Sequence, residues 1–458
     1  MKNLLIIIAL LLGLTACIED GFTTSPSDQP RFSTDTVAMG VQFAGRPSPT
    51  YMLTIRNPHS KQLMLSSVRM RSGEHFRINV DGFSSNGFAD VEIRPHDSIY
   101  VFVEGTFPPT GLLGAQRVTD FLDVTANGVL SSVVITADCV DGVELRRHDV
   151  VADVTFTADR PYLVTDTLRV LPGATLTLAE GANLFFHDKA ALVVEGTLRA
   201  EGTSEHPVSM RGDRTGAVVA DISFDVMSNQ WEGVYFAPES RGNFLSHTQI
   251  VNTCLGVELD SLAQLTLVNS RLTNSGSVLL SAYCAELTAV GSELSNARDA
   301  LLLLGGSGAT RVDRSTLANW YLFSFPSMAI VQVCDGASLD SLSVTNSVIY
   351  GRGVEVAFPE VKADELLSLP VTFARCMFRS EGEDDANFIG CLWDADPMLE
   401  YSLTDYTFPY TPLPDSPALG VAEPSLDHPL LPPLDFRGRE RGLTLGAYGP
   451  VTEPQMLN

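Results

Sequence analysis

Four versions of one short phrase decide the fold: SHTQIVN (246–252), VNSRLTN (268–274), VGSELSN (290–296) and DRSTLAN (313–319). Each ends in an asparagine, and the spacings between the asparagines are 22, 22 and 23 residues. A fixed period in this range indicates a solenoid, in which each repeat packs on its neighbours. Polar and apolar residues alternate within each phrase, which is the periodicity of a strand and not of a helix. The sequence therefore predicts stacked coils of short parallel strands, a β-helix.

The recurring asparagine predicts a ladder along one bend of the coil. Its members are Asn252, Asn274, Asn296 and Asn319. An asparagine amide at a tight bend can hydrogen-bond to the asparagines of the coils above and below, and asparagine tolerates left-handed backbone. The phrase continues as TNSVIYG (345–351) and ARCMFRS (374–380), after longer gaps of 32 and 29 residues. We expect this ladder to be structural.

A longer stretch upstream carries a family resemblance: LRVLPGATLTLAEGANLFFHDKAALVVEGTLRAEGTSEHPVSM (168–210), followed by WEGVYF (231–236). It resembles the opening coils of right-handed parallel β-helix proteins, the pectate-lyase-like superfamily. Near the C-terminus, DADPMLE (394–400), DSPALGVA (415–422) and LDFRGRERGLTLGAYG (434–449) resemble the tail of that family. The resemblance implies a right-handed parallel β-helix over residues 150–450 with a C-terminal cap. Leu445 replaces the usual Asp of the family, which weakens a charged role for the tail and leaves a capping role.

Residues 36–145 have a different pattern. Short alternating segments such as YMLTIR (51–56), SIYVFVE (98–104) and LSSVVIT (130–136) are separated by turn residues, which is typical of a β-sandwich. Their order resembles the immunoglobulin-like modules of cell-surface and ciliary proteins, which usually act as spacers. We therefore expect an all-β protein in which an N-terminal Ig-like β-sandwich is followed by a right-handed parallel β-helix.

The N-terminus has the pattern of an export signal with a lipid anchor. The apolar run from Leu4 to Leu14 is too short to span a bilayer, and Leu14-Thr15-Ala16-Cys17 resembles the lipobox of bacterial lipoproteins. We expect residues 1–16 to be a signal peptide, Cys17 to be lipidated, and residues 17–35 to form a flexible tether.

The residues after the anchor bear on location. Position 18 is isoleucine rather than aspartate, and the acidic pair Glu19-Asp20 follows it. This pattern favours the outer membrane and the exterior face of the cell, with the periplasmic face as the alternative. The expected partners are the membrane, through the lipid anchor, and an extracellular polysaccharide or surface protein. The oligomeric state stays open.

The mature chain is strongly acidic. Residues 1–16 contain one charged side chain, Lys2, so their removal leaves 29 basic and 55 acidic residues, a net charge of −26. Such a surface repels nucleic acid, so we expect no nucleic-acid partner. Six cysteines remain after acylation and none has CxxC spacing, so metal binding by cysteine is not expected and their pairing stays open.

No catalytic motif stands out. The acids of the central coils, among them Asp260 and Asp313, fall in none of the Asn-Thr-Asp, Asp-Asp or Gly-His-Gly motifs of hydrolases with this fold. No lysine occurs between 189 and 362 to serve as a lyase base, although several arginines do. We therefore expect a non-catalytic binding, adhesion or structural protein without a catalytic residue or cofactor. The alternative is a polysaccharide lyase or glycoside hydrolase that acts on acidic polysaccharide.

The acidic loop 381–387 is a weak candidate for calcium. The side chains that could coordinate the ion are Glu381, Glu383, Asp384 and Asp385. Carboxylate oxygens are the ligands that calcium prefers, but the loop lacks the alternating ligand spacing of known calcium loops. A solvated insertion between coils is the other interpretation.

A cluster of aromatic residues is the candidate for ligand contact. Trp320, Tyr321 and Phe323 lie beside the 32-residue gap, where extra residues project from one coil. Loops on a rigid scaffold often carry binding residues, and aromatic rings stack on sugars. Filling the interior of the solenoid is an equal alternative for the same rings.

Overall fold

The structure is a computed structural model that describes residues 21–219, 222–334, 338–359, 361–362, 365 and 367–450. Its regular structure is almost entirely β, and the chain divides into two compact units. Unit 1 comprises residues up to 111, 115–140 and 216–223, and unit 2 comprises residues 112–114, 141–215 and those from 224 onward. The predicted lipidation site, Cys17, lies outside the described residues. Within the described ranges, no helix is long and apolar enough to cross a bilayer.

Unit 1 contains two largely antiparallel sheets with the alternating burial that the sequence predicts. In one strand, for example, Tyr51, Leu53 and Ile55 are buried and the residues between them are partly exposed. The strands of the first sheet are Arg31–Phe32, Tyr51–Arg56, Phe76–Val80, Phe83–Ser85, Ser98–Gly105, Ala217–Val219 and Ile222–Ser223. The strands of the second sheet are Thr36–Phe43, Leu63–Met70, Gly87–Phe88, Val91–Ile93, Gln116–Ala126 and Val129–Val140.

Unit 1 includes two segments that the sequence assigned elsewhere. In its described part the predicted tether, residues 17–35, is not free: Phe22 bridges Gln62, and Arg31–Phe32 pairs with Tyr51–Arg56. The Asn127 side chain also donates to backbone carbonyls of this segment. Residues 216–223, inside the predicted β-helix, pair with each other and with Tyr51–Arg56. Composition alone does not distinguish a polar linker from a polar segment whose backbone pairs with a sheet edge.

Unit 2 is a parallel β-helix, as the repeat predicts, and its first strand begins at Val143 rather than near 150. Successive coils contribute strands to three parallel sheets, which we call sheets A, B and C in chain order. Sheet A comprises Val143–Leu145, Tyr162–Val164, Asn183–Phe186, Val208–Gly212, Thr248–Val251, Arg271–Ser275, Glu293–Ala297, Thr316–Asn319, Val348–Gly351 and Met377–Phe378. Sheet B comprises His148–Val150, Thr167–Val170, Ala191–Val194, Trp231–Phe236, Thr253–Leu259, Leu280–Tyr283, Leu302–Gly305, Val331–Cys334 and Val356–Ala357. Sheet C comprises Val154–Phe156, Thr175–Leu178, Thr197–Glu201, Asn243–Ser246, Gln264–Val268, Glu286–Val290, Ala309–Asp313, Ser341–Thr345, Val371–Ala374 and Phe388–Ile389.

The interior of unit 2 is one continuous apolar core made of stacked side chains. Strand register on sheet B, for example, places one buried aliphatic residue above another through seven coils: Leu168, Leu192, Val234, Val257, Leu280, Leu302 and Val331. Each such side chain contributes about 1.5–3 kcal/mol when it is fully buried. The core therefore fixes the register that aligns the outward-facing residues.

A ladder of hydroxyl groups runs along the bend between sheets C and A. The backbone N–H of each ladder residue donates to the hydroxyl oxygen of the next coil, over distances of 3.3, 3.1, 3.1 and 3.1 Å through Thr248, Ser270, Ser292, Ser315 and Ser347. The residue before each ladder member has left-handed backbone, with φ between 43° and 60°. The ladder hydroxyls are buried, so they supply hydrogen-bond partners that water does not reach.

The predicted asparagine ladder differs from the structure in its hydrogen bonds. Strand register places Asn252, Asn274, Asn296 and Asn319 at equivalent positions of successive coils, and the first three have left-handed backbone. Among the described residues, however, no hydrogen bond joins the side chains of any two of them. Asn252 and Asn274 donate to backbone carbonyls within 224–227, Asn296 accepts from the Tyr410 hydroxyl, and Asn319 donates to the carbonyls of residues 297 and 299. Chain segments that cover this bend supply partners for Asn252, Asn274 and Asn296, whereas the partners of Asn319 belong to the neighbouring coil.

The C-terminal tail from residue 395 lies along the flank of the coils and not across their end. It contacts four successive coils through Asn269, Glu293, Arg314 and Asn346, which bond to Arg441, Tyr448, Asp427 and the backbone of Glu423. The Arg314 side chain is 2% exposed and its ion pair with Asp427 is bidentate, at 2.7 and 2.9 Å. The predicted cap is therefore a lateral cover. The last coil is covered instead by the rings of Phe388 and Trp393, which pack on Phe378.

Candidate functional site

In the predicted aromatic cluster, the rings of Trp320 and Tyr321 pack against other parts of the protein. Trp320 stacks on Tyr401 with ring centroids 4.7 Å apart, and Tyr321 is buried with its hydroxyl 2.8 Å from the Ser228 hydroxyl. Phe323 is 52% exposed, and its ring meets the Tyr321 ring edge-on. The three rings therefore do not form one exposed platform for a sugar.

The acidic loop 381–387 uses its aspartates to fold on itself. The Asp384 carboxylate accepts from the backbone N–H groups of Gly390 and Cys391 and from the Trp393 indole, at 2.6, 3.1 and 3.2 Å. The Asp385 carboxylate accepts from two further backbone N–H groups. Glu381 and Glu383 are exposed. In the part of the chain that the structure describes, no group of three or more potential metal ligands converges, at this loop or elsewhere.

The outer face of sheet C carries a groove that is the first candidate for a ligand site. It has a volume of about 470 Å3, and we call it the sheet C groove. Its polar lining residues are Arg311, Ser343, Thr345, Thr372, Arg375 and Ser425. Register places Arg311 beside Ser343, and Ser343 beside Thr372, on three neighbouring strands. Their side chains point outward because the residues that alternate with them fill the core.

Two arginines give the sheet C groove its chemistry. Arg311 donates from Nη2 to the Leu426 carbonyl at 3.3 Å, and its buried Nε has no hydrogen-bond partner within the described chain. Arg375 is exposed at the bend between sheets C and A. Neither arginine forms an ion pair within 4 Å among the described residues, although the charge of Arg375 contributes to lowering the pKa of Asp384 and of Glu423. Arg314, by contrast, is paired with Asp427. Guanidinium groups can bind a carboxylate or a sulfate group through two parallel hydrogen bonds, so these two arginines make the groove a candidate site for an anion.

The groove continues a polar row along sheet C. The register aligns one outward residue from each of nine strands: Thr155, Thr177, Arg199, Phe244, Thr266, Thr288, Arg311, Ser343 and Thr372. Six of the nine carry a hydroxyl, and neighbours repeat at the strand spacing of roughly 4.8 Å. A linear polymer that lies along the helix axis would meet a repeated series of hydrogen-bonding groups.

A second, smaller cleft of about 140 Å3 lies on sheet B, and we call it the sheet B cleft. Its floor contains Gly233 and Gly256, which face each other across neighbouring strands with φ of 131° and 84°. A Cβ on Gly233 would overlap the Gly256 carbonyl oxygen, so only glycine fits there. A β-bulge between Trp231 and Gly233 shifts the register and leaves Leu255 half exposed at the rim.

Titratable groups in the lining of the sheet B cleft and beside it have pKa values shifted in different directions. The Tyr235 hydroxyl donates to Asp260 at 2.5 Å, which lowers the pKa of Asp260 and raises the pKa of Tyr235 to about 12. Burial and the charge of Asp260 raise the pKa of Glu258. Burial, with the charges of Glu232 and Asp188, raises the pKa of the Cys254 thiol to about 11. The groups whose charges act on Glu258 and Cys254 are thus carboxylates, and their negative charge opposes ionisation of both.

Unit 1 has a groove of about 290 Å3 of its own, and its charges are already satisfied. Arg77 pairs with Glu104, and the Thr50 hydroxyl donates to the same carboxylate at 2.7 Å. A ligand would have to displace these bonds to gain equivalent ones. The sheet C groove is therefore the stronger candidate.

The comparisons with known proteins do not identify a family. No family model and no curated protein matches the chain. Among solved structures, a protein of unknown function from Porphyromonas gingivalis W83 is 12% identical, with a TM-score of 0.19 over 27% of this chain and 60% of that one. A family 123 glycoside hydrolase from Clostridium perfringens is 10% identical, with a TM-score of 0.17 over 27% of this chain and 30% of that one. The matches thus span less than two thirds of either protein, and at these TM-scores they carry no conclusion about this chain.

The sequence contained part of the signal for the sheet C groove. Threonines and arginines alternate with leucines and valines in TLTL, QLTLV and ATRVD, which places them outward. Their alignment into one row depends on coil lengths that differ by several residues. Arg375 and Ser425 reach the groove from a bend and from the tail, positions that no periodicity predicts.

Proposed function

We propose that this protein is an exported surface lipoprotein that binds an anionic extracellular glycan, without catalysis, through the sheet C groove. The observation that carries the proposal is the pair of arginines, Arg311 and Arg375, unpaired within the described chain and lined up with hydroxyls in one groove. The mature chain has a net charge of −26, so repulsion by the other charges would disfavour an anionic ligand away from these arginines.

The expected ligand follows from the side chains. A guanidinium group binds a carboxylate or sulfate through two parallel hydrogen bonds, and the Ser and Thr hydroxyls can donate to or accept from sugar hydroxyls. Uronic-acid or sulfated glycans carry both kinds of group. The length of the sheet C row supports an extended polymer over a small molecule.

The anchor and the family assignment belong to the same proposal. The lipobox-like sequence at Cys17 supports lipidation, export and attachment to the outer membrane, facing outward. The glycine-rich coils at 168–210 and the tail phrases support membership of the right-handed, pectate-lyase-like β-helix proteins, with an Ig-like module as spacer. Fractionation tests the anchor: wild-type protein partitions with membranes, and Cys17→Ala stays soluble after export. Membrane partitioning of Cys17→Ala would contradict it.

A glycan array followed by titration calorimetry tests the ligand. We expect binding to oligogalacturonate or sulfated oligosaccharide and weak binding to neutral oligomers of the same length. Arg311→Gln with Arg375→Gln removes charge-assisted hydrogen bonds worth about 1.5–3 kcal/mol each, so affinity falls by roughly 10- to 150-fold per bond. Arg298→Gln is the matched control, because Arg298 is exposed and already paired with Asp299. Wild-type affinity in the double variant, or no binding to any anionic glycan, would contradict the proposal.

The alternative, a polysaccharide lyase or glycoside hydrolase, is favoured by one observation. Glu258 lines the sheet B cleft, and Asp260 lies beside it, bonded to Tyr235. The pKa of Glu258 is raised and that of Asp260 is lowered, which is how a pair of carboxylates is divided between acid and base roles. Release of reducing ends or unsaturated products from uronic-acid polymers, abolished by Glu258→Gln, would favour the enzyme. Binding without product release favours the non-catalytic function.

A further inference from the structure

The hydroxyl ladder between sheets C and A ends in two cysteines. Strand register places Cys376 after Ser347, because Val348 pairs with Met377, and places Cys391 after Cys376, because Met377 bridges Leu392. The Ser347 hydroxyl and both thiols each donate to the backbone carbonyl two residues earlier, at Thr345, Ala374 and Ile389. Cys376 and Cys391 therefore occupy the two positions that follow Ser347 in the column. The earlier members of the ladder are Thr or Ser, so the last two rungs replace hydroxyls with thiols.

Strand register places the two cysteines opposite each other on neighbouring parallel segments. Ala374 pairs with Ile389 on one side, and Met377 bridges Leu392 on the other. The carbonyl of Cys376 accepts from the N–H of Leu392 at 2.8 Å. Neighbouring parallel strands lie about 4.8 Å apart, which is within the range of roughly 4.4–6.8 Å between the Cα atoms of a disulfide.

Both side chains point to the same interior. Cys376 is fully buried, and Cys391 packs against the core from the edge of the last coil. Their thiols donate to backbone carbonyls, Cys376 to Val344 at 3.4 Å and Cys391 to Phe373 at 3.3 Å. Both are free thiols in this structure, so a bond between them needs a rotation of side chains and not a change of register.

We propose that Cys376 and Cys391 are a modification site, a disulfide that closes the last coil of the β-helix once the chain is exported. The disulfide proposal rests on the proposed function in one respect, because export is what brings the chain into an oxidising compartment. The oxidant is a protein or small-molecule disulfide of that compartment.

The bond forms by two thiol–disulfide exchanges. The Cys391 thiolate attacks one sulfur of the oxidant and forms a mixed disulfide, with loss of its proton and release of one thiol. The Cys376 thiolate then attacks the Cys391 sulfur and releases the second thiol. Two electrons and two protons thus pass to the oxidant, which becomes a dithiol or two thiols.

The order of events follows from burial. Cys376 is inaccessible in the folded coil, so the bond forms as the last coil closes, with Cys391 as the residue that meets the oxidant. The closed loop contains the acidic segment 381–387. The bond would hold that segment, and the Phe388 and Trp393 rings that cover the core, against the end of the helix.

Peptide mapping tests the pairing directly. The full-length chain carrying Cys17→Ala is refolded with an excess of oxidised over reduced glutathione, quenched with acid, unfolded, alkylated and digested with trypsin. Arg375 and Arg379 flank the first cysteine, so trypsin separates it from the second, which lies in the peptide 380–437. We expect most molecules to yield peptide 376–379 joined to peptide 380–437. Recovery of both cysteines as alkylated thiols in most molecules would overturn the proposal.

The matched variant is Cys376→Ser, which restores the residue that the ladder uses at Ser347 and is therefore expected to fold. Thermal unfolding should begin at a higher temperature in the wild type than in Cys376→Ser under oxidising conditions, and at the same temperature under reduction. No difference under oxidising conditions would count against the bond. In a separate experiment, the chain with residues 1–16 included is expressed in a Gram-negative host, and the pairing of its cysteines is mapped in the same way. Pairing in glutathione but not in that host would refute export while leaving the pairing intact.

Discussion

Replacement of one ladder hydroxyl measures how much the column between sheets C and A stabilises the coils. The Ser315 hydroxyl accepts from the Ser292 N–H at 3.1 Å and donates to the Asp313 carbonyl at 2.9 Å. Ser292 and Ser315 are both fully buried, so water does not replace the lost partner. Ser315→Ala leaves a buried N–H unsatisfied, which costs about 1–3 kcal/mol. We expect this loss to be local, because neighbouring coils of a solenoid are coupled only to each other.

Hydrogen exchange read by mass spectrometry is the assay, because a long repeat protein need not unfold in one step. A loss of about 1–3 kcal/mol should speed exchange in the peptide containing Ser292 by roughly 5- to 150-fold, with little change beyond the adjacent coils. Ser341→Ala is the control, since Ser341 is a half-buried serine of the same region outside the ladder. Equal exchange in Ser315→Ala and Ser341→Ala would refute the structural role of the ladder.

Three further changes test other parts of the fold. Gly256→Ala should destabilise unit 2 by at least about 1–3 kcal/mol, because φ is 84° and the added Cβ would overlap two backbone carbonyls; a melting temperature equal to wild type would contradict this. Asp427→Ala leaves the buried Arg314 charge uncompensated, at a cost of about 3–5 kcal/mol, and should make the tail sensitive to limited proteolysis. The hydrogen bond from Arg71 lowers the pKa of Asp123, so its contribution is present above the unfolded value of about 3.9 and is lost as the pH falls through the lower, folded pKa. Asp123→Asn should therefore flatten the acid limb of denaturant-unfolding curves of unit 1, and an unchanged pH profile would argue against that ion pair.

The repeat period was the most informative property of the sequence. The alternation within each phrase predicted strands, and the spacing of 22–23 residues between phrases predicted the length of a coil. The structure has parallel sheets of nine or ten strands. The prediction of left-handed backbone holds at Asn252, Asn274 and Asn296, since that preference is local. Their hydrogen-bond partners were not predictable, because residues 224–227 lie outside the repeated phrases and Tyr410 is 114 residues away from Asn296.

The ladder was visible in the same phrases at a different residue. Ser270, Ser292 and Ser315 each lie four residues before an asparagine of the series, and Ser347 lies four residues before Gly351, which ends the next phrase. Asparagine draws attention because its amide both donates and accepts, but the serine hydroxyl is the group that reaches the N–H of the previous coil. Periodicity alone does not show which of two recurring polar residues is hydrogen-bonded to the equivalent residue of the next coil.

The sequence by itself determined the all-β class, the strand repeat, the division into an N-terminal sandwich-like region and a β-helical region, and the acidic charge, because each follows from local alternation, period or composition. Only the tertiary structure decided which side chains meet: the arginines of the sheet C groove, the flank position of the tail, the packing of residues 22–32 on unit 1 and the facing pair Cys376 and Cys391. The physical reason is that these contacts join residues whose separation along the chain differs from one repeat. They depend on the register set by the stacked core, which local preferences do not encode.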